Sequence, residues 1–154
     1  MKTKISLLLF LICGLLSSCT QNNGNIGPYF GSWLQYEMTI DGEKVTDFNP
    51  EETFWEFQNN IIEISRVNGM YEKNGRWGTW EERDGHLLLN FMHHDDQNPV
   101  GTSGYCAPEW IHFTSDEIID LTIVSNKSSR MELQWRDPDG RLIGYYPVSY
   151  THLR

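Results

Sequence analysis

Four consecutive side chains, His93, His94, Asp95 and Asp96, are all of metal-ligand type. Neighbours in an extended chain point to opposite sides, so only alternate members of the four could converge without a tight turn. No His-x3-His or Cys-x2-Cys spacing reinforces them. Asn98, Pro99, Gly101 and Gly104 place them instead in a solvated loop over residues 92–107. No metal site is assigned there. Loops on a rigid scaffold carry much of a protein's binding chemistry, so this one is a candidate ligand lid. The acid pairs Glu51-Glu52, Glu81-Glu82 and Asp116-Glu117 fall at turns or strand ends, and 21 acids in 154 residues make such pairs commonplace. A general acid needs a pKa raised by an apolar pocket, which no particular position here implies. Gly-x-Ser-x-Gly, phosphate-loop and dinucleotide patterns are absent. The expectation is a non-enzymatic protein that needs no cofactor.

The cysteines carry a different chemistry. Lys2 and Lys4 precede an apolar run over residues 5–16, too short to span the roughly 30 Å of a bilayer core but of signal-peptide length. Leu16-Ser17-Ser18-Cys19 then resembles the bacterial lipobox, in which small residues precede the cysteine that accepts lipid. Residues 1–18 are read as a signal peptide, 19–28 as a lipidated polar tether, and 29–154 as one domain. The tether, rich in Asn and Gly, could reach roughly 30 Å when extended. Cys13 leaves with the signal peptide and Cys19 takes the lipid, so Cys106 has no internal partner.

The remaining elements are strands. Period-2 alternation over residues 34–40, an aromatic run over 54–58 and further runs over 61–67, 70–74, 76–82 and 86–91 are expected first. After the long loop come 110–114, 118–125, 130–136 and 141–150. Asp41-Gly42, Asn59-Asn60, Asp84-Gly85 and 137–140 supply turn chemistry, and Asn68-Gly69 reads as a two-residue hairpin. Nine or ten short strands with no helical window mean an all-β protein: an antiparallel up-and-down meander closing into a barrel of about eight strands. Closure removes the exposed edges that an open sheet would leave.

Trp55, Phe57, Trp80, Trp135 and Tyr146 lie on these strands and are candidate ligand-lining residues, with plain core packing as the alternative. Trp77 and Trp80 are three apart, so one of them should face outward.

Gly31-Ser32-Trp33 at the head of the first strand resembles the Gly-x-Trp motif that opens lipocalins and other calycin barrels. Later segments are similar to lipocalin-like lipoproteins of Bacteroidetes. These include Phe54-Trp55-Glu56-Phe57, Gly75-Arg76-Trp77-Gly78-Thr79-Trp80 and the stretch from Trp110 through Glu117. The resemblance implies that Trp33 plugs the closed end of the barrel, with Arg136, Arg141 or Arg154 stacked on it. It also implies a small apolar or amphipathic ligand. The tether lacks the acidic patch that directs such lipoproteins to the cell surface, which favours the outer membrane's periplasmic face. The net charge of −9 becomes −11 once the two signal lysines leave, since no acid leaves with them. That excludes nucleic acid as a partner and leaves lipid on Cys19 as the route to a membrane. The alternative expectation is an interaction module that binds glycan or an envelope protein through exposed aromatics.

Overall fold

The computed structural model describes residues 27–49, 52–69, 72–92, 106–114 and 117–150. The signal segment, Cys19, Arg154 and the His93, His94, Asp95 and Asp96 tetrapeptide lie outside them.

Nine strands form one antiparallel sheet: β1 (Gly31–Ile40), β2 (Glu43–Lys44), β3 (Thr53–Gln58), β4 (Ile61–Asn68), β5 (Glu72–Arg83), β6 (His86–Asn90), β7 (Ile119–Lys127), β8 (Arg130–Arg136) and β9 (Leu142–Ser149). Apart from the short β2, each strand pairs with its neighbour in sequence, and β1 also pairs with β9. That last ladder closes an eight-stranded barrel, with β2 added outside it as a short hairpin arm on β1. The expected meander and closure are both present.

Turn chemistry sets the register. Ile40 sits opposite Glu43 and Arg83 opposite His86, so Asp41-Gly42 and Asp84-Gly85 are two-residue loops. All four of those residues have positive φ, as a type I′ turn requires. The expected two-residue loop at Asn68-Gly69 is longer. Asn68 remains in the ladder opposite Glu72, so three residues connect the strands, beginning at Gly69. Two further expectations change. Residues 70–74 and 76–82 are not separate strands, because β5 runs unbroken through Gly75. The outer-face Glu63 carboxylate lies over that position, where an added Cβ would collide with it. Residues 110–114 are not a strand either; a short 3-10 helix, Glu109–Ile111, stands there.

The inner face keeps the period-2 pattern. Trp55 and Phe57 of β3 face Ile64 and Ile62 of β4, and Leu87 and Leu89 of β6 face Leu121 and Ile119 of β7. All eight are at most 2% exposed. In β1 the phase is not the expected one. Trp33 and Gln35 are buried, the ladder to β9 slips at Tyr36, and Met38 then resumes the inner face. A bulge inserts one residue and turns the later side chains of its strand to the opposite face. Tyr36 is therefore exposed, and Leu34 packs outside the core cluster.

Gly78 faces inward where no side chain fits. An added Cβ would stand 2.7 Å from the Asn90 carbonyl oxygen and 2.8 Å from the Phe91 ring. Gly78→Ala is therefore expected to destabilise the fold by about 1–3 kcal/mol in denaturant unfolding. An unchanged midpoint would contradict this packing.

Candidate functional site

The two ends of the barrel are built differently. At the end where β1 begins, the 3-10 helix Gly27–Tyr29 folds across the opening. Trp33 is 2% exposed and donates from Nε1 to the Tyr29 carbonyl oxygen at 2.9 Å. Tyr29 in turn packs on Phe57 (5.3 Å between centroids) and Trp80 (5.1 Å), which meet each other edge-on at 5.2 Å. Burial, then the neighbouring Glu82 carboxylate, push the Tyr29 hydroxyl's pKa up, so it stays protonated. Trp33 thus has the buried position expected of a plug, but no arginine among the described residues stacks on it. Arg136 and Arg141 lie at the opposite end, where Arg136 donates to the Gly140 carbonyl and Arg141 pairs with Asp137.

The other end is closed by chain rather than by strand residues. Between β6 and β7, residues 106–114 return into the barrel and bury Ala107, Ile111 and Phe113 to 1% exposure or less. Phe113 is the hub. Its ring lies 5.8 Å from Trp55, 6.2 Å from Phe91, 5.6 Å from Trp135 and 5.1 Å from Tyr145. Burying a ring of this size stabilises by about 1.5–3 kcal/mol. Tyr145 fixes the segment by donating its hydroxyl to the Ile111 carbonyl at 2.8 Å. Burial, and to a smaller degree the Asp137 carboxylate, push that hydroxyl's pKa far above its ordinary value, so it remains a donor. His112 then takes a left-handed backbone (φ 68°), turning the chain inward so that Phe113 enters the core. Burial would raise the Asp137 carboxyl, but the side-chain and backbone hydrogen bonds from Arg141 outweigh it. They hold that carboxyl below the usual carboxylate range.

The candidate ligand-lining residues separate accordingly. Trp55, Phe57 and Trp135 are at most 4% exposed and pack into these aromatic clusters. Trp80 is half-buried against Tyr29 and Phe57. Tyr146 faces away from the interior, beneath the Arg130 guanidinium at 5.6 Å. The expected split between Trp77 and Trp80 is present, with Trp77 outward and 42% exposed. Cys106 carries a free, half-buried thiol. Among the described residues, no group of His, Cys, Asp or Glu is arranged to hold a metal ion.

A cleft of about 290 Å³ opens where residues 106–114 meet the β2–β3 connection. Met38, Val45, Phe48 and Trp110 give it apolar walls, and Asn49, Thr53, Arg66 and His112 give it polar ones, with Asp47 and Glu109 exposed among its lining. Arg66 holds one oxygen of Glu52, at 3.3 Å from Nε and 3.2 Å from Nη2. None of the five candidate residues lines this cleft; Trp80 and Trp135 border two other surface clefts, of about 420 and 470 Å³. Sequence reasoning missed Arg66 and Trp110 because an arginine in a strand reads as solvent-facing and 110–114 reads as strand. A usable signal was Thr53-x-Trp55-x-Phe57, whose phase puts Thr53, and so its partner Arg66, on the inner face.

Removing the Tyr145 hydroxyl leaves the buried Ile111 carbonyl without its donor. Tyr145→Phe is expected to cost about 1–3 kcal/mol and to speed amide hydrogen exchange across 109–114 more than in β3 or β4. Uniform exchange rates would contradict the pinning role.

Comparison with known families places this geometry. A lipocalin-like domain family model matches residues 14–137. A lipocalin-like protein from Bacteroides uniformis superposes with a TM-score of 0.55 at 10% identity, over 80% of this chain and 100% of that one. An uncharacterized protein from Bacteroides eggerthii gives 0.58 at 15% identity, over 79% and 99%. At such identities the two structures share the fold alone. No curated protein matches the chain. With the family model spanning most of its length and its eight strands closed on themselves, the chain belongs to the lipocalin-like domain family.

Proposed function

We propose that this protein is a periplasmic lipoprotein, anchored in the outer membrane through lipid on Cys19, that holds a small amphipathic molecule in the cleft at its barrel mouth without transforming it. The observation that carries the binding reading is the cleft itself. It sets apolar Met38, Val45, Phe48 and Trp110 against polar Arg66, Asn49 and Thr53. A volume of about 290 Å³ lies just below the roughly 300–1,000 Å³ usual for drug-sized ligands, which fits a small molecule. Among the described residues, Trp55, Phe57, Phe113, Trp135 and Tyr145 occupy the interior, which favours the rim. The anchor reading rests on Leu16-Ser17-Ser18-Cys19 after the apolar run, and the periplasmic face on the absence of acids between Cys19 and Pro28.

The alternative, a glycan- or protein-binding outer wall, has one observation in its favour. Trp77 stands outward opposite Glu63 in the β4–β5 ladder, and Lys73 bridges Glu63 at 3.0 Å and Glu56 at 2.9 Å. Phe30, Tyr36 and Tyr150 are also exposed, but among the described residues none of them packs against the Trp77 ring, so this platform has a single ring and the cleft is favoured.

Two measurements test the proposal. Cys19→Ser should move the protein from the membrane fraction to the soluble fraction, and an unchanged distribution refutes the anchor. Residues 20–154 purified from their own envelope should carry a co-purified small molecule in native mass spectra. Val45→Trp, which fills the cleft, should remove it; retention of the same mass in that variant refutes the cleft as the site.

A further inference from the structure

One cation at the mouth of the barrel stands without a carboxylate among the described residues. Acids outnumber lysines and arginines by 21 to 12, so a cation facing the inside of the barrel should find a carboxylate. Arg66 finds one, weakly. Arg76 does not. It lies on β5 opposite the core residue Ile64, two residues along from Asn74, which stands opposite Arg66. The two arginines are therefore diagonal neighbours on the inner face of adjacent strands. Arg76 donates from Nη1 to Asn74 Oδ1 at 2.6 Å and to the Gly75 carbonyl at 3.3 Å, both neutral acceptors. No Asp or Glu among the described residues pairs with it. Its Nε is buried and has no hydrogen-bond partner. The guanidinium stands 5.5 Å from the ring of Trp110, a wall of the cleft, and the Trp110 indole Nε1 is likewise buried and unpartnered.

Both orphaned groups are N–H donors, and leaving such a group unpaired in a buried place costs free energy. The missing complement is an acceptor, and beside an unneutralised guanidinium an anionic one is strongest. We propose that the mouth cleft takes a singly charged oxyanion carried on a short apolar body, its charged end at Arg66 and Trp110 with Arg76 behind that wall, and its body against Met38, Val45 and Phe48. The inference rests on the cleft reading above and narrows its ligand. Asp47 and Glu109 in the same lining repel negative charge, which disfavours a dianion such as a phosphate monoester more than a monoanion. The volume holds roughly ten water-sized groups, which bounds the apolar body to a short chain or a single ring.

Octanoate, octanol and octyltrimethylammonium share one tail and differ in charge, so their titration into residues 20–154 isolates the head group. Octanoate is expected to bind roughly tenfold tighter than octanol, the scale of a charge-assisted hydrogen bond, and tighter still than the cation. Arg76→Gln should erase the preference for octanoate while leaving octanol binding unchanged, and Arg76→Lys should keep part of it. Thermal melts of each variant separate lost folding from lost recognition. Equal binding of octanoate and octanol overturns this inference and leaves the cleft reading standing. A preference for the cation, or an octanoate preference that survives Arg76→Gln in a folded variant, also overturns it. Failure of all three probes to perturb Val45 and Phe48 in NMR spectra overturns both.

Discussion

The packing of Phe113 against Trp55, Phe91, Trp135 and Tyr145 decides what kind of barrel this is. An eight-stranded barrel encloses just enough space for side chains to fill it or for one small ligand to occupy it. Here Trp33, Phe57 and Trp80 of the strands, with Tyr29 of the first 3-10 helix, fill one end, and the mouth is filled by the returning segment between β6 and β7. Its ring is held by contacts on several sides, and its backbone by the Tyr145 hydroxyl. The segment brings Ile111 and Phe113 inside and leaves Trp110 and His112 on the cleft side. The same few residues therefore close the interior and build the cleft.

On the proposed reading, that arrangement moves binding from the centre of the barrel to its rim. Interiors packed at crystal-like density have no room to exchange side chains for a ligand without losing their contacts. A rim cleft needs no such exchange. It also allows groups that a core would not tolerate. On the inner face Arg76 stands level with the buried Ile64, and Arg66 lies two residues nearer the mouth, opposite the buried Thr53. The lidding connection that carries Val45 and Phe48 leads directly out of the short arm β2, so the extra strand outside the barrel serves to frame the cleft.

Much of the scaffold was legible from residue types. Asp41-Gly42 and Asp84-Gly85 fixed two hairpins because their positive φ values suit a type I′ turn. The alternation of Trp55 and Phe57, and the three-residue offset of Trp77 and Trp80, gave the faces correctly. Three features were not legible, each for a physical reason. The Tyr36 bulge shifts the phase of β1, and a bulge leaves no mark in hydropathy. Residues 110–114 are β-favouring by type, yet burying Phe113 outweighs any ladder they could form. The inward arginines contradict the usual rule for charged residues in strands, and only the ladder partners Thr53 and Ile64 reveal them. Site residues were harder to read than the fold because strand phase alone does not separate a core ring from a cleft wall: Trp55, Phe57 and Trp135 are packed in the core, Trp80 is half-buried and Tyr146 faces outward.

The central claim is that the interior is closed and ligands are met at the mouth. Methyl-selective NMR of residues 20–154, recorded during an octanoate titration, tests it most directly. The account predicts saturable shifts at the Val45 and Met38 methyls while those of Leu87, Leu89, Leu121 and Leu133 stay fixed. Shifts at the four leucines with Val45 unmoved would place the ligand inside the barrel and contradict it.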